Sequence, residues 1–160
     1  MTARPVSFEL NGRPVQAVLA PHRTLLDVLR EGFGATEVKE GCGEGVCGTC
    51  TVFLDGESVN ACTVLAVQVA DRSVTTVKGL APEGELHPLQ QRFLEHGASQ
   101  CGFCTPGMLL VAEEFVRRNP RAEREEIRRA LAGNLCRCTG YAKIIDAVAA
   151  YAGEAPAVPT

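Results

Sequence analysis

The sequence predicts an α+β fold in two parts, a mostly antiparallel sheet half over residues 1–78 and an all-helical half over residues 79–160. Three observations carry this. Alternating apolar residues punctuated by Asn-Gly and Asp-Gly dipeptides occupy the first half. Apolar residues at helical spacing occupy the second. Between them lies Lys78 to Pro88 (KGLAPEGELHP), a glycine- and proline-containing stretch with little periodicity that reads as a linker.

In chain order, Val6, Phe8 and Leu10 alternate with polar residues, Asn11-Gly12 follows, and Val15, Ala17 and Leu19 alternate again, which predicts a β-hairpin. Thr24 stands three residues before Asp27 as in a capping box, and Leu25, Leu26, Val28 and Leu29 give a helix that packs over the hairpin and stops near Gly32. Beyond a loop with Gly41, Gly43, Gly45 and Gly48, the run Thr51–Leu54, Asp55-Gly56, Glu57–Asn60 predicts a second hairpin, and Val74–Val77 a further short strand. In the second half, helices are predicted over Leu89–His96 and over Pro106–Arg118, with Thr105 as N-cap. Two more are predicted over Ala122–Ala132, closed by Gly133, and over Tyr141–Tyr151. The terminal GEAPAVPT reads as a frayed tail.

Composition excludes several classes of function. The chain has 160 residues and 46% hydrophobic content, enough for a core. A formal charge of -3 and no Lys/Arg run leave no electrostatic footprint for nucleic acid. No stretch approaches the roughly 20 apolar residues of a membrane span, and the start, MTARPVSFELNGRPV, has no export signal, so a cytoplasmic location is expected.

Eight cysteines are many for an intracellular chain and few for a disulfide scaffold. They fall into two foursomes, Cys42, Cys47, Cys50, Cys62 and Cys101, Cys104, Cys136, Cys138, separated by 38 cysteine-free residues. The first spells CxxxxCxxC inside GCGEGVCGTC with a fourth cysteine downstream, the spacing of plant-type 2Fe-2S ferredoxins. Three thiolates converging on a small cluster need a backbone that folds back on itself. Glycine permits that and leaves its N–H groups free to donate to the sulfurs. A structural zinc site would favour paired CxxC knuckles instead. Only eleven residues separate Cys50 from Cys62, a short return that points to a fused relative of the ferredoxins rather than a soluble shuttle.

The second foursome pairs CGFC with CRC, and 31 residues lie between the pairs. On spacing alone this fits zinc, a redox dithiol or a cluster. Context favours the cluster. Each pair runs directly into threonine and then a predicted helix, CysThrProGly at 104–107 and CysThrGlyTyr at 138–141, a weak internal repeat that implies two helix-loop units of approximate two-fold symmetry. An oxidised four-thiolate cluster carries roughly two negative charges, and a helix start offers it N–H donors and about half a positive charge.

Taken in order, CxxxxCxxC…C, QCGFCTPGM and NLCRCTGY resemble the iron-sulfur subunit of the molybdenum hydroxylases, the xanthine dehydrogenase, aldehyde oxidoreductase and carbon monoxide dehydrogenase relatives. The likeness runs from about Val6 to Tyr151. It implies a plant-ferredoxin-like β-grasp first domain and a second domain built as a two-fold-symmetric four-helix bundle. It implies two 2Fe-2S clusters, with the first four cysteines holding the one nearer FAD and the second four holding the one nearer molybdenum. It also implies that Gln100 and ligand Cys138 contact the molybdopterin cofactor.

The resemblance further implies a relay with no substrate chemistry on this chain. Single electrons pass from molybdopterin on a large subunit to FAD on a medium subunit, in a heterotrimer doubled by symmetry. Choice among purines, other N-heterocycles, aldehydes, acyl-CoA derivatives and carbon monoxide then resides in the molybdenum subunit. The three histidines, His22, His87 and His96, lie outside the cysteine groups and read as structural or solvent-facing, while Phe103 and Tyr141 flank cysteines and are candidates to exclude water. The rivals are a diffusing ferredoxin, which leaves the helical half without purpose, and a zinc-binding interaction module.

Overall fold

Asn11 and Gly12 have φ of 51° and 77°, the two left-handed residues that a type I′ turn requires. They close a hairpin between β1 (Arg4–Leu10) and β2 (Arg13–Leu19), with Leu10 opposite Arg13 and Arg4 opposite Leu19. This is a computed structural model, and it describes residues 2–154. Asp55 and Gly56 repeat the device at φ of 53° and 85°, joining β3 (Thr51–Leu54) to β4 (Glu57–Asn60). With β5 (Ser73–Thr75) the strands form one five-stranded sheet in the order β2-β1-β5-β3-β4. The β1–β5 pair is parallel and the other neighbours are antiparallel.

Val6 and Phe8 of β1 turn inward onto Leu25, Leu26, Val28 and Leu29, all buried in one core. Thr24 Oγ1 accepts from Asp27 N–H and Asp27 Oδ2 accepts from Thr24 N–H, both at 3.1 Å, so the predicted capping box forms. The helix it starts is short. One α turn, α1 (Leu25–Asp27), widens into a π-helical turn, Val28–Gly32, closed by Phe33 N–H on the Val28 carbonyl. Phe33 then meets the Phe8 ring edge to face at 5.5 Å.

Strand β3 is buried at all four positions because it is covered on both sides. Val52 and Leu54 enter the first core, while the long helix of the second half packs against β3 and sets Arg117 5.8 Å over the Phe53 ring. Strand β5 ends sooner than the sequence predicts. Thr76 N–H donates to Asn11 Oδ1 at 2.8 Å, and Thr76 Oγ1 then caps a 3₁₀ turn, Val77–Gly79, through Lys78 N–H. A side chain from the first hairpin turn thus takes the donor that a longer strand needs.

The second half holds α2 (Pro88–Glu95), α3 (Thr105–Arg118), α4 (Arg124–Ala130), a 3₁₀ turn Leu131–Gly133, and α5 (Ala142–Glu154). They bury Leu89, Met108, Ile127, Leu131, Ile144 and Val148 in a second core. The four predicted helices are present with shifted ends. Pro88 belongs to α2 rather than to a linker, since His87 Nδ1 caps Leu89 N–H at 3.3 Å. Cys104, not Thr105, stands at the N-cap of α3, and the Thr105 hydroxyl pairs with Ser99 Oγ at 3.1 Å. Helix α4 starts late because Glu126 caps Glu123 N–H at 2.8 Å. Tyr141, at φ of 66°, cannot join α5, which begins one residue later and runs through Glu154. Gly153 and Glu154, expected to fray, are therefore helical, and the rest of the predicted tail lies outside the described residues.

Candidate metal centres

The glycine-containing loop between α1 and β3 carries Cys42, Cys47 and Cys50, and the β3–β4 hairpin returns the chain to Cys62. All eight cysteines are free thiols. Within the first foursome they associate in twos. Cys42 and Cys47 interact thiol to thiol, as do Cys50 and Cys62. Cys50 and Cys62 are the inner pair, buried in the first core, while Cys42 and Cys47 lie nearer the surface. The Glu44 amide donates to Cys42 Sγ at 3.5 Å, and this bond, with help from the Cys47 thiol and neighbouring amides, draws the Cys42 thiol down to about 6. Burial pushes Cys50 the other way, to about 12, reinforced by Cys62.

The second foursome repeats the arrangement. Cys101 and Cys138, both exposed, have Sγ atoms 3.5 Å apart. Cys104 and Cys136 form the inner pair, and burial raises Cys104 to about 12. Burial also opposes ionisation of Cys136, yet its thiol is lowered overall by the Thr139 hydroxyl, 3.0 Å from Sγ, and by the amides of Thr139 and Cys138. A metal binds such thiols as thiolates, so loading the raised Cys50 and Cys104 releases protons.

This two-plus-two geometry separates the metal candidates. A single zinc needs four sulfurs about 2.3 Å from one point. A 2Fe-2S cluster asks for two thiolates per iron, and each foursome offers two pairs. The space beside the sulfurs fits as well. A Cβ at Gly41 would lie 2.8 Å from Cys47 Sγ, so only glycine leaves that flank open.

Backbone contacts bring the two foursomes together. Leu135 N–H donates to the Cys47 carbonyl at 2.9 Å, and Asn134 Nδ2 donates to the Gly48 carbonyl at 2.9 Å. Asn134 is 4% exposed. A Cβ at Gly107, in the first turn of α3, would stand 2.3 Å from the Gly48 oxygen, so the helix and the loop approach to backbone contact. Farther along the same face, Glu114 of α3 accepts from Ser58 N–H of β4 at 3.0 Å and pairs with Arg118 at 2.9 Å.

Comparison with known proteins decides what such a chain is. A family model described as "2Fe-2S iron-sulfur cluster binding domain" matches residues 8–77, and one described as "[2Fe-2S] binding domain" matches residues 76–149. The nicotinate dehydrogenase small FeS subunit of Eubacterium barkeri is 51% identical over 89% of this chain and 91% of its own length. The nicotine 6-hydroxylase small subunit of Paenarthrobacter nicotinovorans is 46% identical over 93% and 90%. A chain in the crystal structure of quinoline 2-oxidoreductase from Pseudomonas putida 86 superposes with a TM-score of 0.91 at 45% identity, over 95% of this chain and 94% of that one. The chain belongs to the iron-sulfur subunit family of the molybdenum hydroxylases.

As an iron-sulfur subunit of that family it is an electron-transfer component of a multi-subunit oxidoreductase, as the cysteine motifs predict. Gln100 is exposed and immediately precedes Cys101 of the outer pair in the chain. Phe103 is 47% exposed and Tyr141 half-buried in the second core. His22 is exposed, and His87 and His96 stand at the two ends of α2. Sequence reasoning missed Asn134, and it saw Thr139 only as part of the Cys-Thr repeat, not as a donor to Cys136 Sγ. An asparagine near cysteines carries no pattern of its own, and Asn134 acts on a loop 86 residues away. Among the described residues no helix is long and apolar enough to cross a membrane.

Proposed function

We propose that Cys42, Cys47, Cys50 and Cys62 hold one 2Fe-2S cluster and Cys101, Cys104, Cys136 and Cys138 a second. The chain would then relay single electrons from a molybdopterin cofactor on a large subunit to FAD on a medium subunit. The observation that carries this is the division of each foursome into an inner and an outer thiol pair. Bound there, the clusters supply one-electron carriers. The protein's own residues fix their separation, exclude water and donate hydrogen bonds to the sulfurs.

The outer pair Cys101–Cys138, exposed beside Gln100, is the side we assign to the pterin, with Gln100 and Cys138 as the contacts. The first foursome then serves the flavin side. We divide the chain at residues 78 and 79 into a β-grasp domain and a two-fold-symmetric four-helix bundle. Two separate hydrophobic cores and the repeated Cys-Thr step support that division. The assembly is a heterotrimer doubled by symmetry, and eight free thiols suit the reducing cytoplasm. Nicotinate, nicotine and quinoline in the relatives' names share a nitrogen heteroaromatic ring, which makes that class the first to assay as substrate.

The test is spectroscopy on the purified complex. Iron with labile sulfide, a visible spectrum bleached by dithionite, two distinct paramagnetic signals and co-purification with molybdenum and flavin subunits are expected. Zinc at two per chain, or a single signal integrating to one spin, overturns the two-cluster reading. An active, monodisperse free chain overturns the relay.

A further inference from the structure

The loop that carries Cys136 and Cys138 is held from within by a residue to which the relay assigns no task. Tyr141 has φ of 66°, a left-handed conformation that a bulky side chain adopts only where its surroundings enforce it. Its own polar groups supply the enforcement. The phenol oxygen accepts a 2.7 Å hydrogen bond from Cys136 N–H and donates a 3.0 Å bond to the Asn134 carbonyl. The Tyr141 amide donates to Thr139 Oγ1 at 3.3 Å, and the Thr139 hydroxyl donates onward to Cys136 Sγ at 3.0 Å. On the far side the Tyr141 carbonyl accepts from Ile145 N–H at 2.9 Å, so the same residue ties the loop to the first turn of α5.

We propose that Tyr141 and Thr139 are positioning residues of the second centre: Tyr141 fixes Cys136 and aims the Thr139 hydroxyl at Cys136 Sγ, and that hydroxyl sets how readily the centre takes its electron. This rests on the reading that Cys101, Cys104, Cys136 and Cys138 hold a 2Fe-2S cluster. One-electron reduction makes and breaks no bond in the protein but adds one negative charge, shared by the thiolate sulfurs. A hydrogen bond donated to such a sulfur strengthens as its charge grows, so it favours the reduced state. The amide, hydroxyl and sulfur stand in series, and each donor polarises the next.

The internal repeat supplies the control. Thr105 follows Cys104 as Thr139 follows Cys138, yet its hydroxyl pairs with Ser99 Oγ at 3.1 Å rather than with a sulfur. Of the two threonines, only Thr139 is placed to act on the centre.

The experiment is a dithionite titration of the purified complex followed by electron paramagnetic resonance, with the second centre's signal assigned as the one lost in Cys104→Ala. Thr139→Val is expected to lower the reduced-to-oxidised ratio of that signal about tenfold at fixed potential, with the other signal unmoved. Thr139→Ser restores the ratio and Thr105→Val leaves it unchanged. Tyr141→Phe shifts the ratio in the same direction as Thr139→Val and alters the signal's anisotropy. A merely structural role would reduce the amount of signal and leave its midpoint where it was. If the wild-type complex shows two signals and Thr139→Val does not move the second midpoint, or Thr105→Val moves it as far, this inference falls and the relay stands. If the wild-type complex lacks two signals, both fall.

Discussion

The carbonyl of Cys47 accepts a 2.9 Å hydrogen bond from the amide of Leu135, the residue immediately before Cys136. One residue along each strand of chain, the Gly48 carbonyl accepts from Asn134 Nδ2 at the same distance. Two adjacent bonds therefore set the register between a loop of the first half and a loop of the second. The two foursomes are thus tied by one backbone bond and one bond from a buried side chain.

Asn134→Ala removes the side-chain member of this pair from a buried site. The expected loss is about 1 to 2 kcal/mol, read as a lower denaturation midpoint of the cluster-loaded subunit.

Gly107→Ala tests the close approach itself. In an exposed helix alanine is the better residue by about 1 kcal/mol, but here its Cβ would meet the Gly48 oxygen at 2.3 Å, and backbone cannot swing aside as a side chain can. The clash is expected to win, with a net loss of about 1 to 3 kcal/mol. Gly133→Ala, where a new Cβ meets nothing within 4 Å, serves as the control and should be nearly neutral. Urea denaturation of the two variants side by side gives the sign of each.

Cys47→Ala and Cys104→Ala each remove a thiol from one foursome only. Each is expected to abolish one of the two paramagnetic signals, lower iron toward two per chain (about half, as for one lost 2Fe-2S centre), and leave the other signal in place. Iron analysis with spin quantitation checks this, and loss of both signals from either variant would show that the centres do not assemble independently.

How much of this was legible in the sequence differs by element. Both hairpins were, because Asn11-Gly12 and Asp55-Gly56 can hardly do anything but turn left-handed. So was the family, since the motifs GCGEGVCGTC, QCGFCTPGM and NLCRCTGY that carry it are short and contiguous. The π turn at Val28–Gly32 and the early end of β5 were not. The first depends on how α1 settles on the sheet, and the second on Asn11, 65 residues distant, claiming the Thr76 amide. Tyr141 was noticed as an aromatic beside a cysteine. Its left-handed backbone and double hydrogen bond arise only when the chain on both sides is in place.

Asp55 provides the pH-dependent case. Its carboxylate accepts from Ser73 N–H at 2.9 Å and from Arg72 Nε at 2.7 Å, in that order of importance, and both hold its pKa below the ordinary 3.8. A carboxyl whose folded-state pKa is depressed adds stability above its unfolded pKa and loses it as pH falls through the folded one. Asparagine tolerates the φ of 53° at this turn, so Asp55→Asn removes the charge and spares the backbone. The variant should be less stable than wild type at pH 7, and the gap should close below pH 3.8. Thermal melts across that range measure it.

The bond from Ser58 N–H to Glu114 has a consequence for the chain before it meets any partner. Strand β4 lies at the border of the sheet, where unused amides invite the strand of another molecule to add on. A carboxylate from α3 already occupies one of those amides, and Arg118 and Glu57 pair beside it. The helical half thus guards this border of the sheet: one amide that could have received a foreign strand is already spoken for.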